Sequence, residues 1–311
     1  MSDNQNNQKR SEKSDTPNSR NSGSLSFPSV PKLLCIVGST GTGKTALALE
    51  FAKKQPSILI SADSRQVYRG MDVVTGKDHP SDVQIYGIDI VNPDESCSVS
   101  VWYDAVMPHI EDAWVSGKLP IVVGGTGLYV KALTSGIATM QVPPDLPLRR
   151  ALEPLGVPAL QSRLHAADPK KLALMNESDR ANPRRLIRAI EIASSSSPLS
   201  PMPYKLSPTM IGLRYGDDTN YRHAVESRVR ARLAAGAVAE TKNLVAKYGE
   251  HLESLSAIGY RSLLAYLHGA LKEEEMVAKW VRDELSYAKR QIVWFKKQAV
   301  EWQQVDKPGS I

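Results

Sequence analysis

The residues best suited to chemistry stand together near the start of the chain: Gly38, Ser39, Thr40, Gly41, Thr42, Gly43, Lys44 and Thr45. They satisfy G-x-x-x-x-G-K-[ST] at every position. In such a loop the glycines let backbone N–H groups turn inward around phosphate oxygens. Lys44 adds a point positive charge, and the start of the following helix favours an anion. The Thr45 hydroxyl is a hard oxygen donor suited to Mg²⁺. The usual inference is ATP or GTP binding, yet the pattern itself demands only linked phosphates.

Asp63 is the second candidate. It follows Ser57-Ile-Leu-Ile-Ser61, a short apolar run that reads as a strand. The other buried run, Leu119-Pro-Ile-Val-Val123, ends in Gly124-Gly-Thr-Gly127. It therefore lacks the carboxylate that nucleotide hydrolases place after such a strand. In an open α/β sheet the carboxyl ends of neighbouring strands face one crevice, so Asp63 is expected beside the phosphate loop. A carboxylate there can act as a general base, stand next to Mg²⁺, or simply cap a helix.

These positions need a scaffold of parallel strands. Lys32–Val37 is apolar and stops at glycine, which predicts a buried strand. Residues 45–54 are rich in helix formers. Ile85–Ile90 is a third strand candidate, 99–116 is helical, and Met210–Leu213 predicts a returning strand. Tyr221, Val225, Val229 and Leu233 form one stripe of a long helix. A last helix over 273–297 carries Val277, Val281, Leu285, Ala288, Ile292 and Phe295. Alternating strands and helices predict a P-loop NTPase-like α/β fold, a parallel sheet flanked by helices. Between the proline-rich 141–147 and the Ser/Pro-rich 194–201 the pattern is helical and arginine-rich. The expected organisation is a tail over 1–30, a catalytic core over 31–140 and 205–311, and a small all-helical insertion over 141–204.

Composition narrows the class. With 41% hydrophobic and 23% charged residues the chain matches ordinary globular proteins. No apolar run approaches the ~20 residues that span a bilayer. The first 26 residues are polar throughout and read as disordered, without the apolar stretch of a secretory signal. Cys35 and Cys97 are the only cysteines, and Cys35 sits in an apolar run, so reduced thiols and a cytoplasmic setting are expected. Residues 1–148 carry 13 basic and 15 acidic side chains, whereas 149–311 carry 26 and 18. The basic second part suits a polyanionic partner, or is a solvated basic surface.

Six blocks in one order resemble the tRNA dimethylallyltransferase family. They are the loop Gly38–Thr45; Ser61-Ala-Asp-Ser-Arg-Gln-Val-Tyr-Arg-Gly-Met-Asp72 with Thr75-Gly-Lys77; Val123-Gly-Gly-Thr-Gly-Leu-Tyr129; Pro183-Arg-Arg-Leu-Ile-Arg-Ala-Ile-Glu191; Ala257-Ile-Gly-Tyr-Arg261; and Tyr287-Ala-Lys-Arg-Gln-Ile-Val-Trp294. The resemblance implies transfer of a dimethylallyl group from dimethylallyl diphosphate to N6 of adenosine 37, beside the anticodon, in tRNAs reading codons that begin with U. It implies Mg²⁺ as cofactor, the tRNA anticodon stem-loop as partner, and a monomeric, non-membrane enzyme. The phosphate loop would hold the diphosphate leaving group, and Asp63 would be the general base. Asp63, Ser64, Arg65 and Gln66 match the segment that contacts the flipped base. Thr126, Arg149, Arg184, Arg185, Arg188, Gly259, Tyr260 and Arg261 match further tRNA contacts. Arginines there suit phosphate and stacking contacts in a single-stranded loop.

Two departures stand out. The family places a diphosphate-assisting arginine just before the helix that starts near Tyr221; here Asp218 occupies that register, with Arg214 and Arg222 as the nearest candidates. The family also has Thr-Arg where this chain has Glu284-Leu285. Rival readings are a P-loop kinase of a nucleoside or small metabolite, an adenylate isopentenyltransferase, and an RNA-binding protein without activity.

Overall fold

The computed structural model describes residues 32–78, 80, 83–196 and 206–306. The tail expected at 1–30 and the boundary expected at 204–205 lie outside the described residues. In chain order the elements are β1 (Lys32–Gly38), α1 (Lys44–Lys54), β2 (Ser57–Ser61), β3 (Ile85–Tyr86), α2 (Val99–Val115), β4 (Leu119–Gly124) and α3 (Gly127–Thr134). Five helices follow: α4 (Leu146–Leu152), α5 (Val157–Ala167), α6 (Pro169–Leu174), α7 (Glu177–Arg180) and α8 (Pro183–Ser194). The chain then forms β5 (Ser207–Tyr215), α9 (Asp218–Ala234), α10 (Ala237–Tyr248), α11 (Tyr260–Leu267), α12 (Glu273–Phe295) and β6 (Glu301–Val305).

The strands form one sheet in the order β3-β2-β4-β1-β5-β6, and every neighbouring pair is parallel. Strand alternation divides β1 between two faces. Leu33, Cys35 and Val37 pack on the side covered by α2, α3, α9 and α12. Leu34 and Ile36 pack beneath α1, whose Leu47 and Phe51 are partly buried against them. Cys35 is fully buried, and burial pushes its thiol up to about 12. Both cysteines are free. No described helix is long and apolar enough to cross a membrane.

The third strand is shorter than its sequence suggests. Gly87 and Asp89 adopt positive φ, at 83° and 53°, which ends the extended backbone after Tyr86. At the other sheet edge β6 pairs with β5 through a polar segment that carries no strand-like apolar alternation.

Helices α4 to α8 surround a cluster of their own, centred on Leu152, Leu160, Leu164, Leu186 and Ile190. Helix α8 starts sharply because the Asn182 side chain accepts from the Arg185 N–H and Pro183 occupies the first turn. A buried carboxylate ties this unit together. Glu191, 3% exposed, accepts from Arg149 at 2.6 and 2.9 Å, from Arg188 at 3.2 Å and from the Asp145 N–H at 3.0 Å. Burial raises the Glu191 carboxyl, but these donors outweigh it and hold the group below its ordinary range. Arg188 also donates to the Thr139 and Val142 carbonyls, each at 2.8 Å, fastening α8 to the segment after α3.

Leu160 is fully buried in this cluster. Leu160→Ala is expected to lower stability by about 2–5 kcal/mol, read from the midpoint of urea unfolding.

Candidate active site

Three loops at the carboxyl ends of β1, β2 and β4 meet at one cavity of about 900 Å³. The phosphate loop forms its floor. Gly41 and Gly43 take positive φ, at 80° and 86°, which turns the backbone around the concavity. Thr42 locks the turn by donating its hydroxyl to the Ser39 carbonyl at 2.9 Å. Tyr221 on α9 donates to the Thr40 carbonyl at 3.0 Å, and Tyr215, stacked on Tyr221, reaches the Gly41 carbonyl at 3.4 Å. Gly43 gives α1 no side-chain cap, so the first helical N–H groups carry no side-chain partner there.

Lys44 lines the cavity and folds back to donate to the Ser39 carbonyl at 2.7 Å. Burial and the nearby Arg228 push its ammonium down to about 8, against the opposing pull of Asp63 and Glu284. Thr45, half-buried in the first turn of α1, lines the same space. Among the described residues no group of three or more His, Cys, Asp or Glu side chains could hold a metal ion. The Thr45 hydroxyl is nonetheless a hard oxygen donor lining this cavity. Mg²⁺ commonly takes one or two protein oxygens with waters and phosphate oxygens, so this hydroxyl fits that ion.

Asp63 is half-buried and held in place by the Arg65 N–H, which donates to its carboxylate at 2.8 Å. Ser64, Arg65 and Gln66 line the cavity beside it. Gln66 is tied on both sides, accepting from the Ser61 hydroxyl at 2.8 Å and donating to the Gly76 carbonyl at 3.1 Å. Thr126 does not line the cavity; its hydroxyl accepts from the Ser64 N–H at 3.0 Å and so anchors the Asp63 loop.

The Gly124-Gly-Thr-Gly127 segment owes its glycines to crowding. A side chain at Gly124 would collide with the Ala62 backbone, at Gly125 with the Gln291 amide, and at Gly127 with the Trp294 indole. Gln291 is buried on α12, and its Oε1 accepts from the Thr40 N–H at 3.2 Å. One side chain therefore joins the phosphate loop to the β4 loop. The buried face of α12 includes Glu284 and Gln291, where periodicity pointed to Leu285 and Ile292, which are only partly buried.

Several expected contacts lie elsewhere. Arg222 is exposed, because Tyr221 takes the inward position and the next residue turns about 100° away. The Arg214 guanidinium lies 6.0 Å from the Trp302 ring centroid, toward β6. Neither lines the cavity; on this side Arg228 and Arg232 do. Sequence reading missed both, although they continue the inward helical stripe of Tyr221 and Val225. Tyr260 is fully buried and donates to Glu240 at 2.6 Å, so its side chain is withdrawn from any surface contact. That Glu240 also accepts three successive N–H groups, of Asp72, Val73 and Val74. Gly259 is buried against Val74 and Trp280, whereas Arg261 is exposed at the cavity edge. Arg149 and Arg188 are committed to Glu191. Arg184 and Arg185 are exposed, in ion pairs with Glu253 and Asp179.

The family model described as "IPP transferase" matches residues 66–298, and that described as "Isopentenyl transferase" matches 31–88. The tRNA dimethylallyltransferase of Acaryochloris marina is 35% identical over 86% of this chain and 90% of its own length. That of Roseiflexus castenholzii is 38% identical over 85% and 90%. The crystal structure of the tRNA isopentenylpyrophosphate transferase from Bacillus halodurans superposes with a TM-score of 0.65 at 36% identity, covering 88% of this chain and 90% of that one. With these matches running through the phosphate loop, the Asp63 segment and the helices that close the cavity, the chain belongs to the tRNA dimethylallyltransferase family.

Proposed function

We propose that this protein transfers the dimethylallyl group of dimethylallyl diphosphate to N6 of adenosine 37, beside the anticodon, in tRNAs that read codons beginning with U. The observation that carries the reading is that Lys44, Thr45 and Asp63 line one cavity, so a diphosphate-binding loop and a carboxylate face the same space. The exocyclic amine of adenine is a weak nucleophile because its lone pair is delocalised into the ring. As N6 attacks the allylic carbon, the new C–N bond forms, the C–O bond to the diphosphate breaks, and the N6 proton passes to the Asp63 carboxylate. Lys44 and the loop N–H groups stabilise the negative charge that grows on the departing diphosphate. The Thr45 hydroxyl would hold Mg²⁺, which would add to the neutralisation of that charge. The adenine leaves its stack to enter the cavity, past Ser64, Arg65 and Gln66.

Helices α4 to α8 are the RNA-binding insertion in this reading, with Arg184 and Arg185 exposed on α8 and Arg261 exposed on the core. The same proposal has the enzyme act as a monomer in a cytoplasmic setting, which the free thiols suit.

Asp63→Asn is expected to lower single-turnover transfer by about 10²–10⁴-fold, the usual weight of a general base. Its tRNA affinity should stay near that of the parent; turnover close to the parent rate would remove Asp63 from the proton-transfer role. For Lys44 the sign is that of a cation neutralised on the alkaline side. Donor affinity should weaken as pH rises through about 8, where the free protein loses that charge, with no such step in Lys44→Met; a titration of donor Kd against pH reads this directly. Neutralising Arg184 and Arg185 should reduce the salt slope of tRNA binding by about one for each phosphate that is no longer neutralised. Arg149→Ala should act instead on the thermal stability of the helical unit, because its partner Glu191 is buried.

A further inference from the structure

Thr75, Gly76 and Lys77 line the cavity, yet none of them takes part in the chemistry above. They close a tight turn over 72–77. Its Gly76 N–H donates to the Val73 carbonyl at 3.2 Å, and its Lys77 N–H to the Asp72 carbonyl at 3.0 Å. Gly76 completes the turn at a φ of 64°. The beginning of the turn is held by one side chain from far along the sequence. Glu240, half-buried in the first turn of α10, accepts from the N–H groups of Asp72, Val73 and Val74 at 2.8, 2.6 and 3.0 Å. Three successive N–H groups around one carboxylate form a nest for an anion. The Tyr260 hydroxyl donates to the same carboxylate at 2.6 Å; burial, and after it Glu240, raises the pKa of this phenol, so it stays a donor.

The other end of the turn meets Gln66, whose carboxamide accepts from the Ser61 hydroxyl at 2.8 Å and donates to the Gly76 carbonyl at 3.1 Å. A hydroxyl can serve either end of a carboxamide, whereas a carbonyl only accepts. The Gly76 carbonyl therefore decides which way round the amide lies. With Nε2 toward Gly76, one N–H and one lone pair of Oε1 stay free at the cavity wall. That pair matches adenine, which presents a ring-nitrogen acceptor beside its N6 donor.

We propose that Glu240 is a positioning residue for base recognition: by holding the turn over 72–77 it fixes the Gly76 carbonyl, which sets the Gln66 carboxamide in the orientation that reads a flipped adenine. The proposal rests on the reading of Asp63 to Gln66 as the segment beside that base. Glu240 does not itself line the cavity and acts only through the turn. If the turn loosens, Ser61 holds the amide either way round, and the donor and acceptor it offers exchange places.

The test compares the affinity of the full chain for two anticodon stem-loops, with adenosine or with inosine at position 37. Inosine carries an oxygen in place of the N6 amine, which turns that donor into an acceptor. The parent is expected to prefer the adenosine loop by about tenfold to a hundredfold, the weight of a paired base contact. Glu240→Gln keeps the shape but sets an N–H₂ group against the N–H donors of the turn. It is expected to narrow the preference by about tenfold or more, with the affinity for dimethylallyl diphosphate within twofold of the parent. In Gln66→Met the preference should already be lost, and adding Glu240→Gln should change it no further. A parent that binds both loops alike would overturn the reading of the Asp63 segment beneath the proposal. A preference kept in Glu240→Gln, or one narrowed equally with and without Gln66, would overturn the role of Glu240 alone. Equal weakening toward both loops and the donor would assign a general structural role and also overturn it. If Glu240→Gln does not fold, Glu240→Asp decides: its shorter stem draws the carboxylate off the turn, and a ratio unchanged from the parent overturns the proposal.

Discussion

The side-chain amide of Gln291 is the contact on which the site depends. It stands where the phosphate loop and the β4 loop approach each other, accepting from the Thr40 N–H while occupying the space left open by Gly125. Neither loop could keep its path with a larger group at Gly125 or an apolar one at 291. The loop after β2 is drawn into the same assembly through Ala62 and Thr126, whose N–H donates to the Ala62 carbonyl at 3.0 Å. Three strand ends thus form one rigid rim, and Asp63 inherits its position from that rim. A parallel sheet supplies the convergence; the close approaches at Gly124, Gly125 and Gly127 convert convergence into a fixed distance.

Electrostatics shape the cavity in a second way. The wall facing the phosphate loop brings Arg228, Arg232, Arg261 and Arg290 together with Glu284 and Asp78. Burial, and after it the repulsion of Arg228, holds the Lys44 ammonium low. Polyanion binding relieves the repulsion, so the free energy stored in crowded cations is returned when phosphate enters. Lys77 shows the opposite solution. Its ammonium is wholly buried but meets Asp72 at 2.7 Å, Asp89 at 2.6 Å and the Tyr68 carbonyl at 2.6 Å. It serves as a staple between two loop segments, fully neutralised where it stands.

The legible parts of the fold were those with local signals. The phosphate loop, β1, β2, β4 and the start of α1 are visible because short apolar runs stop at glycine or polar residues. Asp63 was readable from its place after a strand. What could not be read depends on partners far along the chain. Arg232 and Glu284, or Thr40 and Gln291, are ordinary polar residues until the fold brings them together. In α12 the apolar stripe holds at Val277, Val281, Ala288 and Phe295, but beside Leu285 and Ile292 the buried positions are Glu284 and Gln291, polar side chains satisfied by tertiary contacts. Tyr260 was expected at the tRNA because the resemblance carried the whole Gly-Tyr-Arg block, and nothing in that block marks its middle residue as buried. β6 was hidden for a related reason: as an edge strand it needs no apolar alternation, only a neighbour.

The link between Thr40 and Gln291 spans 251 residues. The central strand β1 likewise waits for β5, which follows the five helices of the insertion. During synthesis the phosphate loop leaves the ribosome early, yet the contacts that fix it come from the last long helix. The helical unit has short-range contacts and its own core, so it has the means to organise first. The nascent chain therefore carries an incomplete sheet with an open edge at β1 until β5 has emerged behind the helical unit. A ligand-competent loop exists only in a finished molecule, and a truncation before α12 would leave a protein that retains the motif without the shape.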